Sequence, residues 1–206
     1  MKRSLKKSLA LILTMFMVVG FSSLASAALM FNLDFGQDGT YEGYWEMDVD
    51  DEVYINIYVS NVPSDGLISM GMDITYDISQ LAVTAGTAVY TSNWYVSPSV
   101  DSSTPGSIIM KGGRMYPGLE GDNILLGTIE LHCIAPGLSE IWLFDSDGQG
   151  GYDDFVLADG TVLDGELADG IKLAEINNVP IPGALVLLGS GLVGLIGLGR
   201  RRMKRS

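Results

Sequence analysis

Apolar residues recur at every second position through most of residues 28–178, and no other feature constrains the fold as strongly. Leu29, Phe31, Leu33 and Phe35 alternate with Met30, Asn32 and Asp34. Val53, Ile55, Ile57 and Val59 alternate with Tyr54, Asn56 and Tyr58, and Met70, Met72, Ile74 and Tyr76 with Gly71, Asp73 and Thr75. Successive side chains of a strand point to opposite faces, so each run predicts a strand with one apolar and one polar side. Turn chemistry ends the runs: residues 61–66, Ala135-Pro136-Gly137, and Asp159-Gly160 between two apolar triplets, as in a hairpin. Residues 77–81 read as one tight 3₁₀ turn, and 174–178 as a short tether. About nine short strands with regular turns predict an all-β single jelly-roll β-sandwich over residues 28–176. No amphipathic helix and no internal repeat interrupts it.

The same alternation puts Leu125, Gly127, Ile129, Leu131 and Cys133 on an apolar face, with His132 and Glu130 on the polar one. Cys133 is the only cysteine, so no disulfide forms within the chain. Its place on the apolar face predicts a buried, inert thiol rather than one that pairs between chains. His132 is the only histidine, and no nucleophile motif accompanies it. A carboxylate-pair glycosidase is arithmetically open among 25 acids, but no pair is singled out. The chain is therefore read as a non-enzyme, with a secreted glycan-active enzyme as the remote alternative.

The two ends differ from the middle. Lys2, Arg3, Lys6 and Lys7 precede an apolar run over 9–19, and Ala25-Ser26-Ala27 follows. Basic start, short apolar core and small-residue exit predict a secretory signal peptide over residues 1–27, cut before Ala28 by signal peptidase. At the other end, residues 181–198 carry no charge, long enough as a helix to just span a bilayer. Residues 200–205, with Arg200, Arg201 and Arg202, form a basic cluster that would stay in the cytoplasm.

Without the ends, 25 acidic residues stand against Lys111, Arg114 and Lys172, a formal charge of −22 where the whole chain has −13. Such a surface repels nucleic acid, anionic lipid and acidic polysaccharide, and attracts divalent cations. Nucleic acid is excluded as a partner.

Val179, Pro180, Ile181, Pro182 and Gly183, then a Gly-spaced apolar segment, then the arginine cluster, resemble in that order the PEP-CTERM sorting signal of Gram-negative bacteria. Ile181 stands where the usual core has Glu or Leu. The resemblance covers residues 177–206. It implies recognition by exosortase, an integral-membrane transpeptidase-like enzyme, removal of the tail, and delivery of an exported protein to the cell surface or a biofilm matrix. A tail anchor that stays in place is the alternative. A second resemblance runs through 52–63, 67–77 and 81–83, and through 126–137 and 140–143, which look like the early strands and the later hairpin of a cohesin-type domain. It implies a nine-stranded jelly roll related in fold to carbohydrate-binding modules. Cohesins bind dockerins, but no residue here maps onto a dockerin-binding face.

Two constellations carry candidate chemistry. Asp145, Asp147, Asp153 and Asp154 lie among three glycines, the oxygen-rich, pliable setting that calcium takes; a solvated acidic loop is the alternative. Val156 stands where an EF-hand has its bidentate Glu, so the loop is not an EF-hand. Tyr41, Tyr44 and Trp45, and Trp94 with Tyr95, are aromatics in polar surroundings that could stack on sugar rings, or else cap the end of the sandwich. The chain is thus expected to be a non-catalytic structural or binding module at the cell surface or in the matrix, with extracellular polysaccharide or a surface protein as its partner.

Overall fold

The computed structural model describes residues 28–84, 86–146 and 152–180. The expected signal peptide, Asp147, the membrane segment, Ile181, Pro182, Gly183, Arg200, Arg201 and Arg202 lie outside the described residues. No helix among the described residues is long and apolar enough to cross a membrane.

The strands are β1 (Met30–Phe35), β2 (Tyr44–Asp48), β3 (Glu52–Ser60), β4 (Val62–Thr75), β5 (Leu81–Val83), β6 (Val89–Tyr90) and β7 (Val96–Asp101). They continue with β8 (Ser107–Gly113), β9 (Leu119–Gly121), β10 (Ile124–Cys133), β11 (Gly137–Phe144), β12 (Val156–Leu157) and β13 (Ile171–Val179). One sheet runs β1-β3-β10-β5, with β6 also on β10. The other runs β2-β13-β11-β4-β8-β7, with β9 and β12 on β4. The sheets pack as a sandwich around one core. The expected nine strands become thirteen among the described residues because several, such as β6 and β12, have only two residues and carry no readable period.

The alternation predicts the inner faces well. Leu33, Ile55, Ile57, Val59, Met70, Met72 and Ile74 are at most 1% exposed, while Tyr54 opposite them is 48% exposed. The Asp159-Gly160 turn forms as expected: Gly160 has φ +90°, and Leu157 N–H donates to Thr161 O at 2.9 Å.

Three local readings are corrected. A β-bulge between Leu125 and Gly127 turns Leu126 fully inward and leaves Leu125 half-buried on the outer face. Gly127 faces the core, where a Cβ would meet Met110 Sδ at 2.6 Å. Residues 77–81 form a turn capped by Asp77, whose Oδ1 accepts from Ser79 N–H at 2.8 Å. The 3₁₀ segment lies instead at Asp164–Glu166. Residues 174–178 are no tether. They belong to β13, which sits between β11 and β2 and pairs with β2 in parallel. Its apolar period (Ala174, Ile176) is only two residues deep, too short to show as a strand in sequence.

Cys133 is fully buried, its thiol 3.7 Å from Ala135 O, and burial pushes its pKa up. Cys133→Asp is expected to destabilise the fold by about 3–5 kcal/mol by burying an unpaired charge, and Cys133→Ser by less. Thermal unfolding with thiol-labelling kinetics checks this, since the folded protein should label only as fast as it unfolds.

Candidate functional site

Among the described residues, the outer face of the eight-stranded sheet carries a concave feature. An open pocket of about 390 Å³ lies where β4 ends beside β11, lined by Thr75, Tyr76, Asp77, Leu138, Glu140 and Trp142. Thr75 and Trp142 are register partners, so the alternation of both strands aims them to the same side. Trp142 donates Nε1–H to Glu140 Oε2 at 3.0 Å and stacks on Phe144, ring centroids 6.3 Å apart. Lys172 on β13 holds Glu140 at 2.7 Å and also bonds Glu175. These bonds, from Lys172 first and then Trp142, hold the Glu140 carboxyl below its ordinary range. The Ser79 hydroxyl and N–H do the same for Asp77. The pocket therefore joins an apolar wall, Leu138 and Trp142, to two carboxylates that stay ionised at neutral pH.

Beyond β11 the chain leaves the sheet and returns as β12, still on β4. Of the segment between them, Tyr152 and Asp153 lie on the outer face. A Cβ at Gly71 would fall 1.6 Å from Asp153 O, and one at Gly113 would fall 2.1 Å from the Tyr152 ring. Only bare backbone lets them approach so closely. Lys111 on β8 pairs with Asp153 at 3.0 Å, and Ser146 Oγ–H donates to Asp153 O at 2.6 Å.

The acidic loop is regrouped accordingly. Asp153, expected among the calcium ligands, is committed to Lys111. Asp145 and Asp154 are joined by Asp164, and oxygens of the three lie within 4.8 Å of one another. Asp164 is brought there by the Asp159-Gly160 turn, ten residues beyond Asp154, a distance in sequence that no loop motif signals. Its Oδ1 accepts from Phe155 N–H at 2.8 Å. Burial pushes its pKa up from 3.8 to about 6; the Phe155 N–H opposes this, and Asp145 and Asp154 add to it. Three converging carboxylates of this kind can supply oxygen ligands to calcium.

The five expected sugar-stacking aromatics do not form one site: Tyr41 packs against Tyr58. Trp94 is fully buried, its Cβ filling the space beside Gly112 inside the core. Tyr95 is exposed, and its hydroxyl accepts from Met115 N–H at 3.1 Å. Trp45 stacks on Phe35 with centroids 5.3 Å apart, and Tyr44 donates its O–H to Glu46 at 2.7 Å. Tyr44 and Trp45 lie on β2 at one edge of the sheet, while Tyr95 precedes β7 at the other. The pocket residues Leu138 and Trp142 escaped sequence reading. Their alternation in β11 was visible, but nothing local showed that Tyr76 and Asp77 would stand beside them.

A raised carboxyl pKa means the fold favours the protonated acid. Asp164 therefore costs stability as pH rises from about 4 through about 6. Asp164→Asn keeps the acceptor for Phe155 N–H and removes the charge. It is expected to melt higher than wild type above pH 6 in chelator, and the difference should vanish near pH 4. Calcium at one hundred times its Kd should raise wild-type stability by about 2.7 kcal/mol and leave the variant unmoved. Equal responses of wild type to calcium and magnesium at matched ionic strength would make the cluster a plain acidic turn.

No known family's sequence profile matches the chain, and no curated protein matches it. Solved structures do. A type III cohesin module from the cell-surface anchoring scaffoldin ScaE of Ruminococcus flavefaciens superposes with TM-score 0.54 at 13% identity, over 77% of this chain and 92% of that one. The cohesin CaCohA2 of Clostridium acetobutylicum gives 0.53 at 15% identity, over 76% and 94%. The sixth cohesin of scaffoldin B from Acetivibrio cellulolyticus, solved in complex with a Cel5 dockerin, gives 0.52 at 14% identity, over 72% and 99%. At these identities the likeness establishes the architecture: the described residues form a cohesin-like β-sandwich.

Proposed function

We propose that this chain is a non-catalytic protein-binding module of the cell exterior, which docks its partner on the outer face of the eight-stranded sheet. The observation that carries this reading is the open pocket on that face, where Trp142 and Leu138 stand beside the ionised Asp77 and Glu140, in a fold like that of the cohesins. Tryptophan is among the residues enriched at binding hot spots, and the carboxylates beside it give the contact a negative sign. One such cohesin was solved holding a dockerin, which supports a protein as the partner class here. The carboxylates and the surrounding −22 favour a partner with basic groups at the contact.

Export and sorting belong to the same proposal. Val179 ends β13, its carbonyl accepting from Val49 N–H at 3.2 Å. Pro180, with no N–H to donate, cannot extend the ladder. The last described strand thus ends at Val179, the first residue of the Val-Pro-Ile-Pro-Gly stretch. In this reading signal peptidase frees Ala28, exosortase removes the tail, and the sandwich is released to the surface or matrix.

Two outcomes follow. Partners captured from the producing cell's secreted fraction on the wild-type protein should be lost with Trp142→Ala, a change of roughly 2 kcal/mol or about thirtyfold in Kd, and should be released by salt. Capture that survives both Trp142→Ala and Leu138→Asp would place binding elsewhere. Intact-mass analysis of surface material should show a start at Ala28 and no residues 200–205. A mature species that keeps Arg200, Arg201 and Arg202 would make the tail a permanent anchor.

A further inference from the structure

The opposite side of the sandwich, the outer face of the five-stranded sheet, has a chemistry of its own. Leu33, Ile55, Ile57 and Ile129 all point inward, so β1, β3 and β10 turn outward Tyr54, Asn56, Tyr58 and Thr128 together with the acids Asp34, Glu52 and Glu130 and with His132. Tyr54, Asn56 and Tyr58 succeed one another along β3 at the two-residue spacing of one strand face, and Thr128 lies directly across from Asn56. Of the aliphatics, Leu125, turned out by the bulge opposite Tyr58, and Met30 at the start of β1 join them.

The row is held in place. Asn56 Oδ1 accepts from Thr128 Oγ1–H at 2.7 Å and from Gln37 Nε2–H at 3.3 Å, which orients its amide towards the Tyr58 hydroxyl at 3.5 Å. Tyr41 reaches over from the β1–β2 loop; its ring packs 5.5 Å from that of Tyr58, and its hydroxyl donates to Asn123 Oδ1 at 2.7 Å. Tyr54, bonded through its hydroxyl to Glu130, is 48% exposed and Tyr41 is 42% exposed. Tyr54 and Tyr58, four residues apart on one strand, stand about 13 Å from each other, too far for one small ring to touch both.

Charge narrows the occupant. Among the described residues Lys111, Lys172 and Arg114 all lie on or next to the eight-stranded sheet, and no strand of the five-stranded sheet carries a lysine or arginine. A face without cations, in a domain of −22, cannot hold an anion. Aromatic faces with pre-oriented amide and hydroxyl groups between them suit a neutral polyol that is apolar on its ring faces and hydroxylated at its edges. We propose that this face, through Tyr54, Asn56, Tyr58 and Tyr41, binds a neutral oligo- or polysaccharide. It is a second binding face, independent of the pocket on the other sheet.

The test is native affinity electrophoresis of the full chain, in mild detergent, through gels cast with hydroxyethyl cellulose, xylan or galactomannan, and with alginate as the anionic control. At least one neutral polymer should retard the wild-type protein while alginate does not. Tyr54→Ala, a change at an exposed position that leaves the core intact, should weaken retention roughly tenfold. Asn56→Ala should weaken it too, and Trp142→Ala should leave it unchanged. The proposal is overturned if none of the three neutral polymers retards the protein, if alginate does so equally, or if Tyr54→Ala binds as wild type does. Loss on Trp142→Ala with Tyr54→Ala unaffected would move glycan binding to the opposite sheet and overturn it as well.

Discussion

Ile55, Ile57 and Val59 of β3 and Met70, Met72 and Ile74 of β4 meet in one core between the two sheets, and all six are essentially unexposed. Each such side chain, fully buried, contributes on the order of 1.5–3 kcal/mol relative to exposure. That burial fixes the register of both sheets, because a slip by one residue would carry every apolar group to the wrong side. With the inner faces committed, each sheet has one face left for water and for partners.

The two free faces have been given different chemistry. On the eight-stranded side the three described basic residues, an acid-flanked tryptophan and a returning flap share the surface. The flap can lie there because Gly71 and Gly113 leave the sheet bare beneath Asp153 and Tyr152. On the five-stranded side the strands show tyrosines and amides with no lysine or arginine among them. The segregation of cations to one sheet gives the two surfaces of this acidic domain different electrostatic character.

The flap also explains how a loop that looks self-contained becomes part of the tertiary structure. Asp153 turns to Lys111 and anchors the loop to β8, while Asp145 and Asp154 remain close to the buried Asp164. Burial is the main reason that Asp164 resists losing its proton, and the neighbouring charges of Asp145 and Asp154 add to it. The Asp159-Gly160 turn and the Phe155 N–H hold Asp164 where it is.

Period-two alternation was enough to read the all-β class, the inner faces of β1, β3 and β4, the burial of Cys133 and the Asp159-Gly160 turn, because each depends on residues that are neighbours in the chain. The bulge at Leu125–Gly127, the inward turn of Trp94 and the strand at 171–179 depend on partners far away: β3, Gly112, and β2 with β11. The pocket and the carboxylate cluster are of the same kind. Tyr76 meets Trp142 across sixty-six residues, and Asp164 stands beside Asp145 across nineteen. Alternation states which way a side chain points. What stands beside it is decided by the order in which strands pair, and that order is a property of the whole packed chain.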